Sequence, residues 1–375
     1  MAKYPVIDAD IHVAVDQQRL LDFLPEPQRR RFATGNRGPG PLGYWNPNGI
    51  NRSDAITPAG RRIETSPTAL AEYFFDVYGI EYGILNEGSL LQIGLSPEPD
   101  FAAAVASAIN DVIVNDWLPA DDRYRASLVV SPADPELAAQ EIHRLGDHPG
   151  IVQVIMASGA RMPYGQRFYH PIYAAAVKHD LPVAIHPGSE GVGVSGPPTA
   201  AGYPTSYLEW HTGLIGSYIA HLVSIVTEGV FVKYPTLKFV LIEGGLSWLP
   251  PLLWRFDKNW KGLRQSTPWL VRPPSQYVQD HVLLTTQPIE EPERPEHLRA
   301  ILDMFDVAQM VMFSSDFPHW DGDTVDFAAR AFPTALRSRV MSETARELYR
   351  LPSRVEEAPA QELVASQSGS GVGDG

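Results

Sequence analysis

The chain has no cysteine, which excludes disulfides, thiolate nucleophiles and thiolate metal ligands, so any bound metal must be held by histidine, aspartate and glutamate. Those donors favour zinc, manganese or iron. The chain also lacks a run of about eighteen apolar residues, the length a membrane helix needs, and has no basic segment leading into an apolar one at its start. Neither a membrane span nor a secretory signal is expected, and the expected setting is the cytoplasm. Positive charge is scarce, with 30 lysines and arginines against 44 aspartates and glutamates and a net charge of −14. Such a balance argues against a phosphate backbone as partner, so nucleic acid is not expected. Small anions stay admissible, because one local arginine outweighs a distant field. What is present is ordinary globular material, 375 residues of which 44% are hydrophobic, enough for one large domain or two smaller ones.

The first regular element is "VIDADIH", Val6 to His12. In an extended strand alternate side chains share a face, so Asp8, Asp10 and His12 project together while Ile7, Ala9 and Ile11 face the other layer. One face reads as a set of ligands; the plain alternative is a short solvated edge strand. Next comes "GNRGPGPLGYWNPNGINRSDAITPAGRRIE", whose glycines, prolines and asparagines break regular structure, so a long loop is inserted after the first strand.

Beyond residue 66 a rhythm sets in, a helical stretch followed by a short β-branched run that ends in polar or glycine residues. The runs are "EYGILNEG" (81–88), "YRASLVVSP" (124–132), "IVQVIMASG" (151–159), "PVAIHPG" (182–188), "LKFVLIEGG" (237–245), "HVLLTTQP" (281–288) and "MVMFSSDFPH" (310–319). Helical spacing is clearest across 101–118, where Val105, Ile109, Val112, Ile113 and Trp117 recur every three or four residues. Further helices are expected near 135–145, 171–179, 211–233, 246–261 and 295–305. With the opening strand, eight strands alternate with helices, which predicts an α/β fold, a (β/α)8 TIM barrel spanning residues 1–353. The competitor is a doubly wound open sheet. It loses because no glycine fingerprint follows the first strand and because polar residues gather at the ends of several strands. Residues 354–375 turn small and polar, the composition of a flexible or partner-bound tail.

The strand ends carry the chemistry. His186 closes strand five, Glu243 strand six and Asp316 strand eight, where barrel strands open into an active-site mouth. With Asp10 and His12 they form a ligand set for a divalent ion with open positions. A lone histidine or aspartate at such a place would more often be a structural hydrogen-bonder; agreement among several strand ends is harder to dismiss. His319 follows Asp316 by three residues and reads as an extra ligand or general acid, or else as a loop residue capping the next helix. His211 and His221 are ten apart, on nearly opposite sides of one helix if it is continuous, so at most one faces the mouth. His211 is the choice. Arg61, Arg62 and Arg161 could clamp a substrate carboxylate, and Tyr44, Trp45 and Tyr203 could wall a small pocket, although for any one of them a surface arginine or loop-packing aromatic is the more ordinary reading. Trp248, Trp254 and Trp260 at spacing six read as core or subunit-interface packing.

The motifs "IDADIH", "LPVAIHPG", "GVFVKYPTLKFVLIEGGLSWLPPLLWRFD" and "FSSDFPHWD" resemble the amidohydrolase superfamily, in particular the amidohydrolase-related branch that contains aromatic-acid and aminocarboxymuconate-semialdehyde decarboxylases. The resemblance runs to about Leu351 and implies Asp10, His12, His186 and Asp316 as metal ligands. Two positions depart from it: Asp10 stands where many relatives have histidine, which tilts the site from zinc towards manganese or iron, and Glu243 stands where the decarboxylases often have a catalytic histidine. A glutamate there can act as acid or base or hold a second metal. One ion is favoured over two, because strand four, "VQVIMASG", offers none of the bridging lysine or glutamate that the resemblance implies for a dinuclear site.

The expected function is therefore a metal-dependent enzyme acting on a small organic acid or amide, by metal-assisted hydrolysis or non-oxidative decarboxylation, with Glu243, Asp316 and His319 as catalytic groups. Two alternatives stand beside it. One is a dinuclear iron or manganese/iron O2-dependent monooxygenase; the other is a non-catalytic metal-binding subunit of a complex. Self-association, or association with a paralogous subunit, is expected in either case.

Overall fold

Each of the eight β-branched runs contains a strand: β1 (Val6–Val13), β2 (Ile80–Glu87), β3 (Tyr124–Val129), β4 (Ile151–Ala157), β5 (Val183–His186), β6 (Phe239–Leu241), β7 (Val282–Thr285) and β8 (Val311–Met312). The computed structural model of the protein describes residues 4–33, 51–88 and 90–354. The strands form one sheet in the order β1 to β8, with every neighbouring pair parallel. Between its ends, Ala9 N–H donates to Phe313 O at 2.9 Å and His12 N–H to Phe317 O at 2.7 Å. These bonds close a (β/α)8 barrel. Its strands are buried along their lengths, as expected when side chains fill the barrel on one face and helices cover the other.

The helices follow local rules. Asp134 accepts from the N–H groups of Glu136 and Leu137 at 3.0 and 3.1 Å and so starts the helix Pro135–Leu145. The long amphipathic stretch forms Pro99–Val112 and continues as a π-helical turn, Ile113–Trp117, burying Val105, Ile109, Val112, Ile113 and Trp117. Burial of each such side chain contributes about 1.5–3 kcal/mol, offset by the ordering of the chain.

One expected helix differs. Residues 211–233 are not continuous: the chain forms Tyr207–Thr212, Ile215–Thr227 and Val230–Lys233, with Gly213 between the first two and Gly229, at φ +75°, before the third. His211 and His221 therefore lie on different helices, and their separation reflects this break and not opposite sides of one cylinder. The insertion after β1 is partly helical (Gln17–Phe23, Gln28–Ala33), and its described later part is tied down where Ala14 N–H donates to Glu64 O and Asn51 Nδ2 to the buried Glu64 carboxylate at 2.9 Å. Tyr44, Trp45 and the tail beyond Arg354 lie outside the described residues. Of the three spaced tryptophans, Trp248 and Trp260 pack on the core while Trp254 is exposed.

Candidate metal centre and active site

The strands deliver the ligand atoms one by one. β1 brings Asp10 and His12, and its pairing with β2 slips between Asp8 and Ile11, an irregularity of the kind that re-aims side chains beside active sites. β5 ends on His186. β6 and β8 run out into Glu243 and Asp316, whose φ angles of +59° and +53° lie in the left-handed region. Non-glycine residues reach that region at a cost of order 1 kcal/mol or more, and they cluster at functional sites. The turn after Glu243 is held tightly: a Cβ on Gly244 would meet the Tyr218 ring at 2.9 Å.

These atoms converge. His12 Nε2 lies 3.1 Å from His186 Nε2, 3.1 Å from Asp316 Oδ1 and 3.5 Å from Asp10 Oδ1, while His186 Nε2 lies 3.4 Å from Asp10 Oδ2 and 3.2 Å from Glu243 Oε2. Asp10, His12, His186 and Glu243 could share one ion, and so could His12, Glu243, Asp316 and His319. Such separations suit donors gathered round one ion at about 2.0–2.2 Å. Two further observations fit a cation. The Nδ1–H of His186 donates to Pro187 O at 2.9 Å, which turns Nε2 towards the cluster, where a cation would take the place of its proton. Asp10 Oδ2 is buried with no hydrogen-bond donor among the described residues, an arrangement a cation would relieve. The donors are imidazole and carboxylate throughout, which suits manganese, iron or zinc.

Charge divides the site unevenly. Burial raises the Glu243 pKa well above the usual carboxylate range, Asp316 adds to the rise, His186 opposes it, and Asp321 and Asp10 reinforce it. Burial acts the same way on Asp316, but His319 and His12 more than offset it and hold that carboxyl well below its usual range. His319 Nδ1 lies 2.6 Å from Asp316 Oδ1; burial disfavours the imidazolium, yet this partner lifts the His319 pKa to about 9. His186 behaves alike, lifted against burial to about 9 by Asp10 and Glu243. Burial and then His319 lower His12.

The amidohydrolase family model matches residues 7–351. The chain belongs to the amidohydrolase family. As a member it is a metal-dependent enzyme. Amidohydrolase relatives include a gamma-resorcylate decarboxylase from Rhizobium radiobacter, 25% identical over 300 residues that cover 74% of this chain and 86% of the relative. The fold is shared with a dihydroxybenzoic acid decarboxylase from Polaromonas sp. JS666, solved with manganese and 2-nitroresorcinol, at a TM-score of 0.64 and 20% identity over 93% of this chain and 97% of that one. A 5-carboxyvanillate decarboxylase from Novosphingobium aromaticivorans, solved with manganese and a nitrobenzoic acid, matches at a TM-score of 0.68 and 21% identity over the same shares, 93% and 97%. These relatives lend no support to the monooxygenase alternative.

Within this amidohydrolase, the structure brings Asp10, His12, His186, Glu243, Asp316 and His319 together. His211 joins them at the mouth: its Nε2 lies 3.3 Å from Asp321 Oδ2, and His211, Asp321 and Glu243 form a further group of mutually close donors. Its ring stacks on Tyr207 at 5.4 Å and lies 5.9 Å from Trp320. Arg61, Arg62, Arg161 and Tyr203 are exposed, and the ion pair of Arg62 goes to Glu64. No ion pair among the described residues links those arginines to the cluster.

Asp8, expected on the ligand face, is set apart: it accepts from the N–H groups of Ser315 at 2.9 Å and Asp10 at 3.2 Å. Burial lifts its pKa to about 7 against those hydrogen bonds. Three site residues were not anticipated. Asn86 Nδ2 donates to Asp10 Oδ1 at 2.6 Å, Gln287 Nε2 donates to Asp316 Oδ2 at 3.2 Å, and Asp321 pairs with His211. Asn86 and Gln287 occupy the ends of "ILNEG" and "TTQP", so the rule that barrel strands end in the mouth pointed at both. Asp321 stands inside the quoted "FSSDFPHWD".

Proposed function

We propose that this protein is a divalent-metal-dependent, non-oxidative decarboxylase of a small hydroxylated aromatic acid, with manganese as its ion. The observation that carries the reading is the placement of two carboxyls in one cluster of donors: Asp316 Oδ1 lies 3.1 Å from His12 Nε2 and 2.6 Å from His319 Nδ1, which favour its ionised form, while Glu243, 3.2 Å from His186 Nε2 and beside the His211–Asp321 pair, is pushed by burial towards its acid form. Environments that push neighbouring carboxyls apart assign one as acid and the other as anion. The decarboxylase activities of the relatives named above support the substrate class.

Asp10, His12, His186 and Asp316 would hold the ion, which supplies Lewis-acid anchoring of the substrate's oxygens. Glu243 hands its proton to the ring carbon that bears the carboxylate. The bond from that carbon to the carboxylate then breaks, its electron pair restores the ring, and carbon dioxide leaves with no net oxidation. Glu243 regains a proton from solvent. His319 keeps Asp316 ionised. Tyr207 and Trp320 flank His211 as an aromatic wall, and His211, oriented by Asp321, faces a ring hydroxyl.

The test is release of carbon dioxide from 2,6-dihydroxybenzoate and a panel of related hydroxybenzoates by manganese-loaded protein, with a panel of amides run beside it. Wild type turns over at least one acid, and Glu243→Gln keeps its manganese but slows by about 10²–10⁴, the usual contribution of a general acid. Hydrolysis of an amide with no acid decarboxylated would overturn the proposal.

A further inference from the structure

A chain of buried hydrogen bonds leads away from Asp10 through the barrel. Asn86 Nδ2 donates to Asp10 Oδ1 at 2.6 Å, Ser127 Oγ donates to Asn86 Oδ1 at 2.5 Å, Gln153 Nε2 donates to Ser127 Oγ at 2.7 Å, and Tyr349 Oη donates to Gln153 Oε1 at 2.8 Å. The first four residues sit on β1, β2, β3 and β4 in turn, and Tyr349 ends the helix Thr344–Tyr349. Ser127 and Gln153 are direct register partners. All five residues are at most 5% exposed.

The direction of every bond follows from its end. An ionised carboxylate only accepts, so Asn86 must present its NH2 group to Asp10 and turn its carbonyl to Ser127. Ser127 must then donate to that carbonyl, and its lone pair is left for the NH2 group of Gln153. The Gln153 carbonyl in turn needs a donor, which Tyr349 supplies. Each donor polarises the next in the same sense, and the accumulated positive end rests on Asp10. Asp10 Oδ1 is thus occupied by Asn86, while Oδ2, buried and with no hydrogen-bond donor among the described residues, lies 3.4 Å from His186 Nε2.

We propose that Tyr349, Gln153, Ser127 and Asn86 are positioning residues that fix the Asp10 carboxylate as a one-oxygen metal ligand through Oδ2, so that a tyrosine on a C-terminal helix helps to set metal affinity. This rests on the reading of Asp10 as a metal ligand, but not on the identity of the substrate. Groups that hold a ligand in place typically change metal affinity by about 10–100-fold when removed. The effect falls with distance from Asp10, being largest for Asn86→Ala, smaller for Ser127→Ala and smallest for Tyr349→Phe, which deletes a single oxygen atom.

The experiment is calorimetric titration of Mn²⁺ into metal-free, full-length protein. The control is Tyr173→Phe, which removes another buried tyrosine hydroxyl, one that donates to Tyr164 O at 2.5 Å outside the chain. The expected result is a graded loss, about tenfold or more for Ser127→Ala and several-fold for Tyr349→Phe, with the control within twofold of wild type. Wild-type affinity in both Ser127→Ala and Tyr349→Phe overturns the proposal, as does an equal loss in Tyr173→Phe, which would mark general loosening. Failure of wild type itself to take up Mn²⁺ removes the metal reading and this role with it. Because the readout is binding, a protein that binds Mn²⁺ yet decarboxylates nothing leaves the two conclusions separable.

Discussion

His221 gives the protein an acid limit that does not depend on the metal. It lies on the helix Ile215–Thr227, 4% exposed, with Nδ1 accepting from Tyr164 N–H at 3.1 Å and Nε2–H donating to Ser158 O at 2.7 Å. Those two bonds fix one neutral tautomer, because a proton on Nδ1 would face an N–H donor. Burial pushes its pKa from 6.5 down to about 4, with the bond to Ser158 opposing. In the unfolded chain the ring takes up its proton near pH 6.5, in the folded one near 4, so between those values the unfolded state binds more protons and stability rises with pH. The contribution is complete above about pH 6.5 and is lost as pH falls towards 4, up to about 3 kcal/mol. The perturbation is His221→Gln, which keeps a donor for Ser158 O and does not titrate. Urea unfolding of metal-free wild type and variant, at pH 7.5 and again at pH 4.5, isolates the effect, since other titrations cancel in the difference. The variant should be less stable at pH 7.5, by roughly 1–2 kcal/mol for the lost Tyr164 bond, and the gap should close or reverse by about 2–3 kcal/mol at pH 4.5. Parallel stability curves would refute the reasoning. The effect reaches the site, because the same helix carries Tyr218, whose hydroxyl donates to Ile242 O and whose ring packs on Gly244, on either side of Glu243.

His186→Ala and Asp316→Ala should each lose Mn²⁺ binding while keeping the wild-type circular dichroism spectrum, since both side chains lie beyond the barrel's packed layers. Mn²⁺ at a hundredfold excess over its dissociation constant should raise wild-type stability by about 2.7 kcal/mol, and Asp316→Ala should show none of that increment in a melt with and without the ion. Gly245→Ala should cost about 1–2 kcal/mol, because it forces an alanine to a φ of +63° and sets its Cβ 2.8 Å from Glu290 Oε1. Glu290 accepts from the N–H groups of Leu246 and Ser247, so a shift there moves the turn that presents Glu243. Urea titration reads the stability loss, and a Gly245→Ala protein as stable as wild type would show that the turn tolerates displacement.

What the sequence made legible was whatever depends on local period. Eight β-branched runs ending in polar residues name the barrel, and the residues at those ends name most of the cluster. Contacts between elements distant in sequence are written in no local period. Tyr349 and Gln153 are 196 positions apart, and nothing in "ELYRL" or "IVQVIM" marks them as partners. The break that separates His211 from His221 was hidden for a related reason: apolar residues continue at helical spacing on both sides of Gly213, and a glycine inside such a pattern does not by itself end a helix.

Asp8 shows how far period can be pushed. Strict alternation would put Asp8, Asp10 and His12 on one face, but the pairing of β1 with β2 slips between Asp8 and Ile11; even on one face, a strand rises about 3.3 Å per residue, so Cα atoms two apart differ in depth by about 6.6 Å and the three residues would span about 13 Å. The donors round one small ion lie within about 4 Å of one another. Side chains of adjacent rungs can bend towards a common point, whereas three successive rungs cannot all do so. Only two of the three can therefore serve one ion, and the ends of the other strands decide which two. His186, Glu243 and Asp316 gather round Asp10 and His12, whereas Asp8 meets the backbone N–H of Ser315 one rung deeper. The same alternation that proposes a ligand face thus limits how much of that face one ion can use.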